Sequence, residues 1–222
     1  IRLSLVGSEM CIRDRLIEPR KVSMGKVISG MCISVDGFVA GLHMTEDKPF
    51  GELPNIHQSL CKWLFGQADQ NKNEIASLTS AGAFIMGRNM FGPTGAQYST
   101  WQGWWGEEPP YHAPVFVLTH TARDSLSLQG GTTFYFVTDG ILSALEQAKK
   151  LAGDKDVAIA GGAHTVNQYL KAGLIDELWL HIVPVIVGQG QRLFEEMPEI
   201  NLEILEQRGT DLVTHIKYRI LK

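Results

Sequence analysis

Short apolar runs alternate with stretches of helical periodicity along most of this chain. Lys26 to Val35 (KVISGMCISV) is apolar and β-branched, which predicts a buried strand. Asp36-Gly37 turns it, and Phe38-Val39-Ala40-Gly41 follows. Residues 42–53 are polar with Gly and Pro, the composition of a loop. Ile56, Leu60 and Leu64 recur at helical spacing, so 56–65 reads as a helix and 71–80 as a second. Ala83-Phe84-Ile85-Met86 is the next short strand, and Gly87 to Phe91 opens a helical turn that Gly92-Pro93 stops. Residues 98–111 carry Trp101, Trp104, Trp105, Pro109 and Pro110. That stretch is too proline-rich for a helix and too aromatic for a free linker, and it reads as a loop folded over a cavity.

The alternation continues to the end. Val115–Thr119 and Thr133–Val137 are strands, and a helix capped by Asp139 runs to about Ala152 with Ile141, Leu145, Ala148 and Leu151 on one face. Val157–Ala160 is a strand, Thr165–Ala172 a helix, and Gly173 its C-cap. Glu177–Val187 reads as one long strand, and 202–208 and 212–221 as a closing hairpin around Gly209-Thr210-Asp211. Strands alternating with helices predict an α/β domain with a mainly parallel central sheet, helices on both faces and an antiparallel C-terminal hairpin. No internal repeat or low-complexity linker divides it, so one domain is expected over 24–222.

Three strand ends in this pattern suit an anion. Ligands of open α/β sheets sit beyond the carboxyl ends of parallel strands. There the chain has Gly87-Arg88, Thr119-His120-Thr121 and Gly161-Gly162. The last is followed by Ala163-His164-Thr165, which opens a helix and so offers unpaired N–H groups and a positive dipole end. Each is also compatible with an ordinary surface turn; together they suit a ligand with several phosphates. Gly188-Gln189-Gly190 lacks a third glycine and reads as a turn into the C-terminal strands.

Composition narrows the partners. The 222 residues are 44% hydrophobic and 20% charged, with a net charge of -4, which is enough for a real core. The absence of a basic block argues against nucleic acid or an anionic membrane as partner. No apolar run approaches the roughly 20 residues of a membrane helix. Cys11, Cys32 and Cys61 form no CxxC pair and fit free thiols in a reducing, cytoplasmic setting. Residues 1–23 read poorly as structure or signal peptide. Ser4 to Arg15 resembles translated adapter read-through, so a non-native or disordered leader is expected, with the natural start at Met24.

MGRNMF at 86–91, VFVLTHTAR at 115–123 and VAIAGGAHTVNQYLKAGLIDELWLHIVPVIVGQGQRLF at 157–194 resemble the dihydrofolate reductase-like superfamily. Within it the chain is most similar to the RibD C-terminal (riboflavin-biosynthesis reductase) branch in its stand-alone form, and ISVDGFVA at 33–40 resembles that branch's first strand. The resemblance covers nearly everything from Met24 onward. It implies an NADPH-dependent reductase acting on a small heterocycle or a conjugated carbonyl or imine, with either the ribosylamino-pyrimidine step of riboflavin synthesis or a divergent member's reduction of another small molecule as the family-level expectation. It also implies a homodimer, for which the apolar 178–187 strand is a candidate interface or else an interior strand. Residue by residue, it implies cofactor contacts from Gly87, Arg88, Thr119, Thr121, Arg123, Gly161, Gly162, Ala163 and Thr165.

The substrate side is read from fewer residues. Asp36 either orients substrate and relays a proton, as a candidate catalytic residue, or caps its own Asp-Gly turn. Trp104 and Trp105 either stack on a flat substrate or pack the loop. His181 reads as a satisfied core residue, while His120 and His164 border the expected cofactor groove. The Trp, Pro and carboxylate pattern of folate-reducing members is missing from 42–60, which argues against a folate reductase. No H-x-E with P-C-x-x-C set is present, which excludes deamination here, and no metal site is expected. The competing reading is a nucleotide-binding module of the same fold without chemistry.

Overall fold

A computed structural model describes residues 25–53, 55–93 and 96–222. The expected leader, Met24, Cys11 and Pro54 lie outside the described residues. In chain order the strands are β1 (Val27–Ser34), β2 (Phe38–Ala40), β3 (Ala83–Gly87), β4 (Pro114–Leu118), β5 (Leu126–Ser127), β6 (Thr133–Val137), β7 (Val157–Gly161), β8 (Glu177–Val183), β9 (Gln191–Arg192), β10 (Leu202–Gly209) and β11 (Thr214–Ile220). The helices are α1 (Ile56–Gly66), α2 (Lys72–Ser77), α3 (Arg88–Phe91), α4 (Gly140–Ala152) and α5 (Ala163–Lys171).

Nine strands form one sheet in the order β10-β11-β8-β1-β7-β3-β4-β6-β5, while β2 and β9 pair separately. From β8 through β1, β7, β3 and β4 to β6 every pairing is parallel, and β11, β10 and β5 add antiparallel edges. The expected α/β architecture with a mainly parallel sheet and a closing hairpin is therefore present.

Alternation along β1 decides what each face does. Val27, Met31 and Ile33 are buried with Ile85, Phe116 and Ile159 against Ala144, Ala148, Val166 and Tyr169 of α4 and α5. This face is sealed by helices whose apolar stripes match it, and the Tyr169 hydroxyl donates to Ile141 O at 2.7 Å to join the two. The opposite face has two separate covers. Phe91, Tyr98, Tyr111 and Phe134 cluster over β3, β4 and β6. Ile56, Leu60 and Trp63 of α1 pack with Val183 and Val213. Between the covers, β1 and β7 present Ile28, Gly30, Ala158 and Ala160, mostly too small to fill the gap.

Several boundaries differ from the sequence reading. The long strand stops at Val183; Val35 donates to Val185 O, and the chain then leaves the sheet toward β9. β8 lies between β1 and β11, so of the two readings of 178–187 the interior strand holds for its sheet portion. The second helix is a short turn, Ala68–Asn71, followed by only Lys72–Ser77. Asp139 occupies the N-cap position of α4 but makes no capping bond; Gly140, at φ 87°, makes the turn into the helix. Gly173, at φ 64°, does end α5: Leu174 N–H donates to Tyr169 O and Gly173 N–H to Leu170 O, a Schellman closure. No described helix is long and apolar enough to cross a membrane.

Candidate active site

The gap between the two covers is a groove of about 1570 Å³ that runs along the sheet face and over the carboxyl ends of β3, β4 and β7. Its upper end gathers Gly87, Arg88, Thr119, Gly162 and Thr165, which the sequence separates widely. Parallel pairing brings them together, because Gly87 pairs with Leu118 and Met86 with Gly161.

The Gly-Gly joint has the form expected of an anion cradle. Gly161 holds φ 127° and its peptide bond to Gly162 is cis. A Cβ on Gly161 would stand 3.3 Å from Met90 Sδ. The first helical bond of α5 runs from Val166 N–H to Gly162 O, so Ala163, His164 and Thr165 have no acceptor for their N–H groups inside the helix. Gly87 is required by proximity: a Cβ there would lie 2.5 Å from Thr165 Oγ1. Gly162, His164 and Thr165 line the groove, and the free donors of this helix start fit a pyrophosphate, and so a dinucleotide; Gly161, packed under Met90 and Met31, and Ala163 lie buried behind them, outside the groove lining.

The cations divide. Arg88 lines the groove; its Nη1 is held by Pro93 O at 2.6 Å and Gly92 O at 3.2 Å, and its guanidinium lies 5.1 Å from the Tyr98 ring. Arg123 is not among the groove-lining residues. It sits 4.8 Å over the Phe136 ring and donates to Tyr98 O at 2.8 Å, and burial lowers its pKa. Thr121 is exposed, and its N–H donates to Thr119 Oγ1 at 3.1 Å, so the two form one turn with Thr119 on the groove side. His120 and His164 both line the groove.

Asp36 lies elsewhere, outside the groove lining. Its carboxylate accepts from Gly188 N–H at 2.7 Å and from Val187 N–H at 3.1 Å, clamping the segment that leads from β8 to β9. Partial desolvation raises its pKa, but bonds from Ser34, Gly188 and Val187 to the charged form outweigh this and lower it to about 2. Neither sequence reading describes it: the Asp36-Gly37 turn is closed by Ser34, whose O and Oγ accept from Gly37 and Phe38 N–H, while the carboxylate clamps the distant 187–188 segment, and a group so held is a poor proton relay.

Trp104 and Trp105 both reach the groove. Trp105 is also packed, stacked on Phe134 at 6.1 Å and edge-on to Tyr111 at 5.1 Å. Trp104 meets Trp101, 4.8 Å away, whose Nε1 donates to Phe91 O. The lining also includes residues that sequence reasoning did not nominate: Phe50, His57 and Cys61 on one wall, Gln191 near Gly162, and His181 on the floor. His181 is fully buried, yet its Nε2 has no hydrogen-bond partner, so it is not the satisfied core residue expected. Only its position on the groove-facing parity of β8 could have signalled this.

The chain matches the RibD C-terminal domain family over residues 25–214. It is 26% identical over 188 residues to protein YyaP of Bacillus subtilis (strain 168), covering 82% of this chain and 88% of that one. A putative riboflavin biosynthesis protein from Shewanella sp. PV-4 superposes with a TM-score of 0.62 at 22% identity, covering 89% of this chain and 99% of that one. The Thermotoga maritima diaminohydroxyphosphoribosylaminopyrimidine deaminase/5-amino-6-(5-phosphoribosylamino)uracil reductase gives 0.57 at 14% identity, covering 89% of this chain and 57% of that longer one. The match along 25–214 places this chain in the RibD C-terminal domain family, and its sheet has the fold of the riboflavin biosynthesis proteins it superposes on.

Proposed function

We propose that this protein is an NADPH-dependent reductase of a small flat heterocycle, related in chemistry to the reduction of 5-amino-6-(5-phosphoribosylamino)uracil. The observation that carries it is the meeting of Gly87, Arg88, Thr119 and the α5 start at one end of a groove that continues over an apolar floor. NADPH supplies a hydride when bound. In this reading the N–H groups at the start of α5 hold pyrophosphate, Arg88 adds charge, and Thr119 with its turn partner Thr121 serves the adenosine 2′-phosphate side; Arg123, engaged by Tyr98 and Phe136 outside the groove lining, is not assigned to it. Trp104 covers the substrate and excludes water.

One observation favours the second reading, a nucleotide-binding module without chemistry. Asp36, the nominated proton relay, is saturated by backbone donors away from the groove. Calorimetric titration with NADPH, with NADH as control, tests the first step. Tight NADPH binding and much weaker NADH binding support the reductase; binding of neither refutes it. NADPH that binds but is never oxidised by pyrimidine substrates supports the module. The homodimer is a proposal of the same standing, checked by sedimentation of the full chain.

A further inference from the structure

The groove floor ends on a histidine whose polarity is fixed from behind. His181 Nδ1 lies 2.8 Å from His215 Nδ1, and His215 Nε2 lies 3.0 Å from Asn71 Oδ1. The Asn71 amide is oriented by Nδ2, which donates to Gln67 O at 2.9 Å. Its Oδ1 therefore faces His215 and also accepts from Arg208 Nη2 at 2.9 Å. Arg208 is in turn held by Glu74, at 2.8 Å from Nε and 2.7 Å from Nη2.

Hydrogen bookkeeping along this chain leaves one solution. A carbonyl-type oxygen only accepts, so His215 Nε2 carries a hydrogen. Burial lowers the pKa of both imidazoles, and both are neutral. Neutral His215 then has a bare Nδ1, which accepts from His181 Nδ1–H. Neutral His181 is left with a bare Nε2. That nitrogen is buried and has no partner among the described residues. A Cβ on Gly30 would stand 3.7 Å from it and 3.2 Å from Leu78 Cδ2, so with glycine there Leu78 alone covers this approach from the groove side. Leu78 Cδ2 borders the same approach and is the side chain a ligand must turn aside.

We propose that His181 Nε2 is the hydrogen-bond acceptor that reads an N–H group on the heterocycle bound in the groove, with Glu74, Arg208, Asn71 and His215 as positioning residues that hold it in that polarity. The proposal rests on the reading of the groove as a reductase's substrate site. A buried bare acceptor is costly until a donor meets it, so a ligand with an N–H is favoured and one with a methyl there is rejected.

The test uses the full chain, isotopically labelled at histidine, and long-range 1H–15N NMR. The expected resting pattern is a bare Nε2 on His181 and a protonated Nε2 on His215; a protonated Nε2 on His181 overturns the proposal. Uracil and 1,3-dimethyluracil are then titrated with NADPH present. Uracil is expected to shift the His181 Nε2 signal and to bind roughly fivefold more tightly, the worth of one neutral hydrogen bond. In His181→Asn, whose amide still donates to His215, that preference disappears. Equal binding of the two pyrimidines, an unmoved Nε2 signal, or no uracil binding overturns it, and these outcomes need only the wild-type chain. NADPH binding is measured separately, so a failed cofactor titration refutes the reductase reading and a failed uracil arm refutes this one.

Discussion

Replacing Gly87 with alanine isolates one contact on which the cofactor end of the groove depends. The residue has φ −77° and ψ 154°, which alanine adopts freely, so the backbone adds no cost. The new Cβ lies 2.5 Å from Thr165 Oγ1, roughly 1 Å inside ordinary contact, whereas its next neighbours are at 3.8 and 3.9 Å. Thr165 is buried in the first turn of α5, so either its hydroxyl rotates toward the groove or the turn shifts. Overpacking of this kind costs about 1–3 kcal/mol. Because the strain falls on the turn that offers its N–H groups, NADPH affinity should drop roughly tenfold, equivalent to about 1.4 kcal/mol. In Gly87→Ala with Thr165→Ala the Oγ1 is gone and the nearest Thr165 atom, its Cβ, was already at 3.8 Å. The two substitutions should therefore couple favourably, by about 1–2 kcal/mol, in a double-mutant cycle followed by urea unfolding and calorimetry. A Gly87→Ala protein as stable as wild type, or a cycle with no coupling, refutes the reasoning.

The two tryptophans should separate. Trp105→Ala empties a site against Phe134 and Tyr111 and should cost roughly 2 kcal/mol in urea unfolding; Trp104→Ala should leave stability nearly unchanged while weakening pyrimidine binding, and equal stability losses would remove the distinction. Asp36 should titrate well below an ordinary carboxyl by carbon-detected NMR, near pH 2, so the clamp's contribution is present above about pH 4 and lost as pH falls through 2; a midpoint near 4 contradicts it. Burial, with the His215 charge second, lowers His181 from 6.5 to about 3. The unfolded chain therefore binds more protons between those values, and stability should decline as pH falls from about 6.5, before carboxylates respond. His181→Asn should make that part of a urea-midpoint profile shallower, with His215, whose pKa burial also lowers, supplying the rest; a wild-type profile already flat from 6.5 to 5 argues against neutral buried imidazoles.

The residues themselves determined more of this protein than their spacing alone suggests. The period of the apolar runs settled the main strands and α1, α4 and α5, though not α2 or the short β5 and β9, and Gly161-Gly162 before an amphipathic helix marked the candidate anion site, because glycine and an exposed helix start are local properties. Apolarity persists through Val187, but the sheet strand ends at Val183 before Pro184, which has no N–H to give the ladder, and Asp36 then captures Val187 and Gly188. Asp36 showed the same limit: an Asp-Gly pair reads equally as a turn or a relay until its acceptors are filled. His181 was the larger gap. Its neighbours in the network, His215, Asn71, Arg208 and Glu74, are spread from α2 and the turn before it to the final hairpin, and only strand pairing together with the packing of α2 on the hairpin brings them behind one imidazole. A sequence specifies which groups can donate and accept. Which of two nitrogens is left bare, and that it faces a groove, is decided only when the antiparallel pairing of β8 with β11 sets His215 beside His181 and β1 lies along the other side of β8.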